Sequence, residues 1–382
     1  MGPSAGLPRA ARGDADRVTL RGNPGGKMNS RFSRALLVPC IAGAAVALCM
    51  PVAAQAPSSA FGEWVVPRTP DGHPDLQGNW SSATLTPLQR PRGQGPVLSA
   101  ADVERIEGRA AGFLERVSQP SDPDRVAPPV GGDGSTGAAG GVGGYNGIYI
   151  DRGDGVAILD GQPMSSLITH PADGRVPPRT AEAERLADEY REFRSQFGRY
   201  DHPEVRPLGE RCIVSFGTNA GPPMLPNGFY NNNYTIVQTA DHVMIMAEMV
   251  HDARIIQIGD GPRLPLHIRP WMGDSWGHWE GDVLVVETTN IHTLQRFRGN
   301  SSEHLKVIER FSRVDEETVL YEFTIDDPKT YTELWGGAVP MKALPAQLYE
   351  YACHEGNYAL SNILSGERYQ ERMELERTGA ND

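Results

Sequence analysis

From Arg211 onward apolar residues recur at every second position, and this restricts the fold more than any other feature. Ile213–Phe216, Tyr234–Gln238, His242–Met249, Ala253–Ile258, Val283–Glu287, Leu305–Ser312, Thr318–Ile325 and Gln347–Cys353 are short alternating runs. That is the pattern of strands with one face in a core. Asp260-Gly261, Glu280-Gly-Asp282 and Asp315-Glu-Glu317 fall between them and read as turns. About eight such strands in succession predict a mainly β, antiparallel body, a lipocalin-like barrel or curved sheet in preference to a sandwich.

The chain before this body reads as its cover. Ser99-Ala-Ala-Asp102 resembles a capping box, and Val103, Ile106, Ala110, Phe113, Leu114 and Val117 follow at helical spacing. Thr180 caps a second helix, with Glu182 and Glu184 near its positive end and Leu186, Tyr190, Phe193 and Phe197 as its apolar stripe. These two N-terminal helices are expected to cover the sheet or its open end. Between them, residues 120–147 form a Gly-rich loop without the Gly-Lys-Ser/Thr ending of a phosphate cradle. Tyr145–Ile168, with Ile148 and Ile150, reads as short strands or an irregular hairpin around Gly153-Asp-Gly155 and Asp160-Gly161. Phe61–Pro96 is an extended arm with Trp64, Leu76, Trp80 and Leu85 as anchors. Residues 57–210 and 211–382 are therefore expected to form one compact unit.

Residues 1–27 read as an over-long gene start and 28–56 as a secretory signal: Met28, a basic stretch to Arg34, a short apolar run over Ala35–Met50 and a small-residue cleavage region ending at Ala56. The run is too short to span a bilayer, which takes about 20 apolar residues. A periplasmic or secreted protein without stable membrane insertion follows. Without residues 1–56, which carry seven basic and two acidic side chains, the net charge of −12 becomes −17. So acidic a chain has no general field for nucleic acid or an anionic membrane. The same removal leaves Cys212 and Cys353 as a candidate disulfide in an oxidising compartment.

Two stretches concentrate reactive side chains. In Val243–Ile258 an apolar run is interrupted by Glu248, His251, Asp252 and Arg254, which are costly to bury unpaired. At the mouth of a cavity His251 would move protons, Asp252 would orient it and Arg254 would hold an anionic group; the alternative is a hairpin turn at Val250–Asp252 with a cross-strand Glu248–Arg254 ion pair, since turns collect such polar residues. In Tyr349–Tyr358 a strand would align Glu350 with His354, and Gly356 would present Glu355 and Asn357. A disulfide-anchored strand end accounts for the same residues without catalysis. Trp271, Asp274, Tyr351 and Asn232 are further candidates for contacting a substrate. Ser275 with His278 lacks the Gly-x-Ser-x-Gly elbow of a nucleophile, and no His-x-x-x-His or His-x-His spacing supports a metal.

Pro74-Asp-Leu-Gln-Gly-Asn-Trp80, Met249-Val-His-Asp-Ala-Arg254, Trp271-Met-Gly-Asp-Ser275 and Tyr349–Tyr358 resemble motifs of a large group of exported bacterial proteins of uncharacterised function. The resemblance implies export and a shared architecture; it implies no mechanism. The resulting expectation is an exported, cofactor-independent enzyme using His/carboxylate acid–base chemistry, as a hydrolase, lyase or isomerase, on a small, partly apolar or aromatic molecule. The alternative is a non-catalytic, lipocalin-like small-molecule binding protein. The two separate on whether a histidine and a carboxylate converge on one reachable volume.

Overall fold

The alternating runs close on themselves. The computed structural model describes residues 64–118, 124, 151–215, 220–228, 231–295 and 302–379. The expected export segment, the start of the arm, nearly all of the Gly-rich loop, Ile148, Ile150 and Phe216 lie outside the described residues. In chain order the elements are β1 (Gly78–Ser81), α1 (Ala100–Val117), a small hairpin of β2 (Ile158–Leu159) and β3 (Gln162–Pro163), β4 (Ile168–His170) and α2 (Ala181–Ser195). There follow β5 (Asn233–Gln238), β6 (His242–Ala247), β7 (Ala253–Ile258), β8 (Asp274–Glu280), β9 (Val283–Thr289), β10 (Lys306–Asp315), β11 (Thr318–Asp326), β12 (Trp335–Ala343) and α3 (Tyr358–Thr378).

Nine strands form a closed barrel in the order β1-β5-β6-β7-β8-β9-β10-β11-β12, with β12 returning to β1 through Trp80–Ala343 and Ser81–Lys342. Every neighbouring pair is antiparallel except β7–β8. Parallel neighbours cannot share a tight turn. Asp260-Gly261 is therefore the start of a long connection over residues 259–273 and not a hairpin. Elsewhere the turn chemistry holds: Asp160 and Gly161 both have positive φ between β2 and β3, and Gly281-Asp282 joins β8 to β9.

Period two decides what is inside. Tyr234 and Ile236, Val243 and Ile245, Leu284 and Val286, Val307 and Phe311, and Tyr321 and Phe323 are all buried in one core cluster with Trp80 and Trp335. Such side chains fill a barrel of this size. Among them lies a charge pair. Arg254 on β7 reaches across to Glu309 on β10 with both guanidinium amines, Nη2 at 2.8 Å from Oε1 and Nη1 bonded to Oε2. Both side chains are almost fully buried. Tyr321 Oη donates to the same carboxylate at 2.9 Å and accepts the Met224 N–H at 2.9 Å. Burial works against the Arg254 charge, but Glu309 more than offsets it and the guanidinium is held more firmly protonated than usual.

Several expectations change. Ile213–Ser215 is not a strand: Cys212 has a left-handed φ of 55°, and the N–H groups of Cys212 and Ile213 turn back to Gly209 and Leu208. Nor is Gln347–Cys353. With β12 already paired to β1, the chain leaves the barrel through Leu344 N–H to Asn79 C=O, and Tyr349 is 81% exposed. The two N-terminal helices form with the expected caps, Ser99 Oγ accepting the Asp102 N–H and Thr180 Oγ1 the Ala183 N–H. The α2 stripe does not pack, however, since Leu186, Phe193 and Phe197 are all exposed. Strands β1, β8 and β12 and helix α3 were not expected. No helix among the described residues is long and apolar enough to cross a membrane.

The buried pair yields a stability prediction. Glu309→Gln leaves Arg254 charged and uncompensated, and should lower the unfolding free energy by about 3–5 kcal/mol in urea at pH 7. Arg254→Met/Glu309→Gln keeps an acceptor for Tyr321 and should be more stable than Glu309→Gln alone.

Candidate functional site

The connection from β6 to β7 bends through a backbone region that side chains rarely adopt. Val250 (φ 63°) and His251 (φ 46°) are consecutive left-handed residues, and each such position costs of order 1–3 kcal/mol. For a β-branched valine the conformation is a genuine outlier. Surrounding contacts impose it: Met249 and Val250 are buried, the Ala247 N–H donates to the Asp252 C=O at 2.8 Å, and the His251 N–H to the Glu248 C=O at 3.1 Å. The Glu248 carboxylate accepts from Asn233 Nδ2 at 2.9 Å. Glu248 and Arg254 thus have separate partners and do not form an ion pair with each other.

His251 and Asp252 point to different surroundings. The His251 ring is exposed, with Nδ1 3.0 Å from the Tyr351 C=O. A carbonyl only accepts, so in that bond Nδ1 carries the proton and Nε2 of the neutral ring keeps its lone pair. Asp252 is half-buried, and its Oδ2 has no hydrogen-bond partner among the described residues. Burial pushes its carboxyl up to about 6, against the lowering effects of the Ser215 backbone N–H and of His251.

The other stretch meets this turn through the Tyr351 carbonyl and is anchored nearby by a disulfide. Cys212 and Cys353 are bonded. Asn357 donates from Nδ2 to the Glu210 C=O at 3.1 Å and touches Cys212 Sγ at 3.2 Å, so its amide braces the bridge. Glu350, Tyr351, Glu355 and Asn357 line one groove of about 540 Å³ beside Glu210 and Leu360. His251 abuts the groove through the Tyr351 carbonyl but does not line it, and neither does Asp252. His354, Glu355 and Glu350 are exposed.

The remaining candidates stand apart. Arg254 is committed to Glu309 inside the barrel. Asp274 accepts from the Leu264 N–H at 2.8 Å and from Trp276 Nε1 at 3.2 Å, holding the β7–β8 connection. Trp271 stacks on His292 with ring centres 3.9 Å apart. Ser275 is buried against Thr288 while His278 is exposed, so the strand alternation separates them. Among the described residues no group of three or more His, Cys, Asp or Glu is placed to hold a metal.

A site that sequence reasoning missed lies against the outer wall. A cleft of about 640 Å³ opens between α1 and the seam of β1 and β12. Leu85, Ala110, Phe113 and Leu114 supply apolar walls, and Ser81 and Lys342, paired across the seam, form part of its lining. The strap Asp151–Asp154 closes one side. Asn232, fully buried, holds that strap by donating from Nδ2 to the Asp151 C=O at 2.9 Å. Gly153 is required there: its φ is 77°, and a Cβ would meet Ala83 and Thr84 backbone at 2.8 Å. Asn232, a candidate ligand contact in the sequence, is thus a support beneath the cleft. The helical spacing of Ala110, Phe113 and Leu114 was visible, but a core stripe and a cleft wall share one pattern.

The cleft and the strained turn are linked. Ser81 pairs with Asn233, and Asn233 binds Glu248 at the start of the turn. No family model matches the sequence, and no curated protein or solved structure matches it.

Asp252 carries a pH-dependent cost. Its folded pKa lies above the value of 3.8 for a free side chain, so the penalty is absent below about pH 4 and complete above about pH 6. Asp252→Asn should therefore raise stability at pH 8 by about 1–2 kcal/mol, allowing for partial exposure, and leave it unchanged at pH 4. Urea titrations of both proteins at the two pH values measure this.

Proposed function

We propose that the protein binds a small, partly apolar molecule in the cleft between α1 and the β1–β12 seam. The observation that carries this reading is an apolar-walled cleft of about 640 Å³ beside a barrel whose interior is filled by its own side chains. The volume falls within the range of about 300–1,000 Å³ common to ligand sites. The likeness to a lipocalin is then one of role, a β-barrel serving as a rigid support, with the ligand outside the lumen. Export is part of the same proposal. It is supported by the basic-then-apolar segment over 29–50 and by the Cys212–Cys353 bridge, which an oxidising compartment favours.

Ala110→Trp places an indole in the cleft without touching the barrel core. It should abolish binding of an apolar fluorescent probe such as anilinonaphthalene sulfonate and leave the urea midpoint within experimental error. Probe binding unchanged by the indole would overturn the assignment of the site.

A second reading, acid–base catalysis at the β6–β7 turn, is favoured by one arrangement. His251 presents Nε2 with its tautomer set by Tyr351, and the next residue carries a carboxyl that changes protonation near neutral pH. Convergence of a histidine and a carboxylate on an enclosed volume is what it lacks. Mass spectrometry of a bound ligand after incubation with the wild type and with His251→Ala tests it. A product formed by the wild type alone supports catalysis, while identical spectra remove the reading.

A further inference from the structure

The cleft's side chains narrow the class of ligand, and this step rests on the binding reading above. Three cations line it: Arg109 on α1, Arg152 on the strap and Lys342 on β12. None has a carboxylate oxygen within 4.0 Å among the described residues. Other described cations, Arg116, Arg194 and Arg313 among them, also lack one; what sets these three apart is that they meet at one apolar-walled cleft. Arg105, one turn before Arg109 on α1, is by contrast paired with Asp102.

The three cations are held in place by contacts that leave their charge uncompensated. The Arg152 guanidinium lies 5.0 Å from the centre of the Phe113 ring, within cation–π range and against the apolar wall. Lys342 Nζ donates to Thr318 Oγ1 at 2.7 Å, and Arg109 Nε to the Arg105 C=O at 3.1 Å. Hydroxyl, carbonyl and ring are neutral partners. Two carboxylates share the cleft. Asp151 is folded into its own loop, accepting the Gly153 N–H at 2.9 Å, and Asp154 stands exposed. The local balance remains positive on an otherwise acidic protein, and it is joined to an apolar surface.

We propose that the cleft takes an amphipathic organic monocarboxylate, with an alkyl or aryl body against Phe113, Leu114 and Ala110 and its carboxylate among Arg109, Arg152 and Lys342. An apolar body alone would leave the three cations beside a dry surface. A small inorganic anion would leave the apolar walls wet. Three cations and two carboxylates leave one net positive charge in the lining, which a single carboxylate neutralises.

Isothermal titration of the purified protein with decanoate, decanol and decylamine decides the matter. Decanoate should bind about tenfold more tightly than decanol, which is the discrimination that three partly exposed ion pairs supply together. In Arg109→Gln/Arg152→Gln/Lys342→Gln that preference should vanish while decanol binding is kept. Equal affinity of decanoate and decanol in the wild type, tighter decylamine, or a preference that survives the triple substitution overturns the ligand class and leaves the cleft as a site. If none of the three binds, and Ala110→Trp does not alter probe fluorescence, the binding reading falls and the ligand class with it.

Discussion

The Arg254–Glu309 pair is the constraint on which the arrangement of this barrel depends. Two charges inside a packed lumen are tolerated only if each is the other's partner and the spare hydrogen-bonding sites are filled. Here β7 supplies one and β10 the other, with β8 and β9 between them in the wall. Any slip of register by one residue would turn one charge outward and strand its mate. Tyr321 extends the network to Met224, so the segment before β5 is tied to the same centre. The barrel interior is thereby committed to its own cohesion, and space for another molecule has to be found outside it.

How much of this could be read from the sequence depended on whether burial was one-sided. Strands β5, β6, β7, β10 and β11 alternate and were legible, and β9 was legible from its apolar run although Leu284–Val286 are all buried. Strand β8 is Asp-Ser-Trp-Gly-His-Trp-Glu, and its polar residues hide the period. Strand β12 carries Gly336-Gly337 and Pro340, which ordinarily argue against a strand. The structure gives each a reason. A Cβ at Gly336 would lie 2.2 Å from the Phe323 carbonyl oxygen, and one at Gly337 2.1 Å from that of Leu167. Pro340 falls between the short segments of β12 that pair with β4 and with β1, so it faces no strand residue on that edge. These are requirements of closure, and closure is a property of the whole ring that no local window contains.

The same limit governed the site residues. Glu248, His251, Asp252 and Arg254 were recognisable as ionisable groups in an apolar run, and three different fates were indistinguishable. Arg254 turned inward because it shares the parity of Ile256, and its partner lies 55 positions away. Asp252 is half-buried on the parity of Arg254 and His251 is exposed on that of Ala253, although the chain bends through two left-handed residues, Val250 and His251. The Cys212–Cys353 bridge was legible by elimination, once Cys40 and Cys49 were assigned to the export segment. What could not be read was that the bridged tail is no strand. The edge it would have joined is already taken by β1.

The cleft exists because α1 is prevented from collapsing onto the wall. Leu114 is 54% exposed, and a shift of the helix that buried it would gain about 1.5–3 kcal/mol. Opposing that shift, Glu107 accepts the Val156 N–H, Arg152 sits over Phe113, and the strap beneath is pinned by Asn232 and by the close approach of Gly153 to Ala83 and Thr84. These contacts fill no core and complete no strand ladder. Their common effect is to hold an apolar helix face at a distance from an apolar wall, with three cations around it that have no ion-pair partner among the described residues. The binding proposal accounts for a gap maintained at that cost.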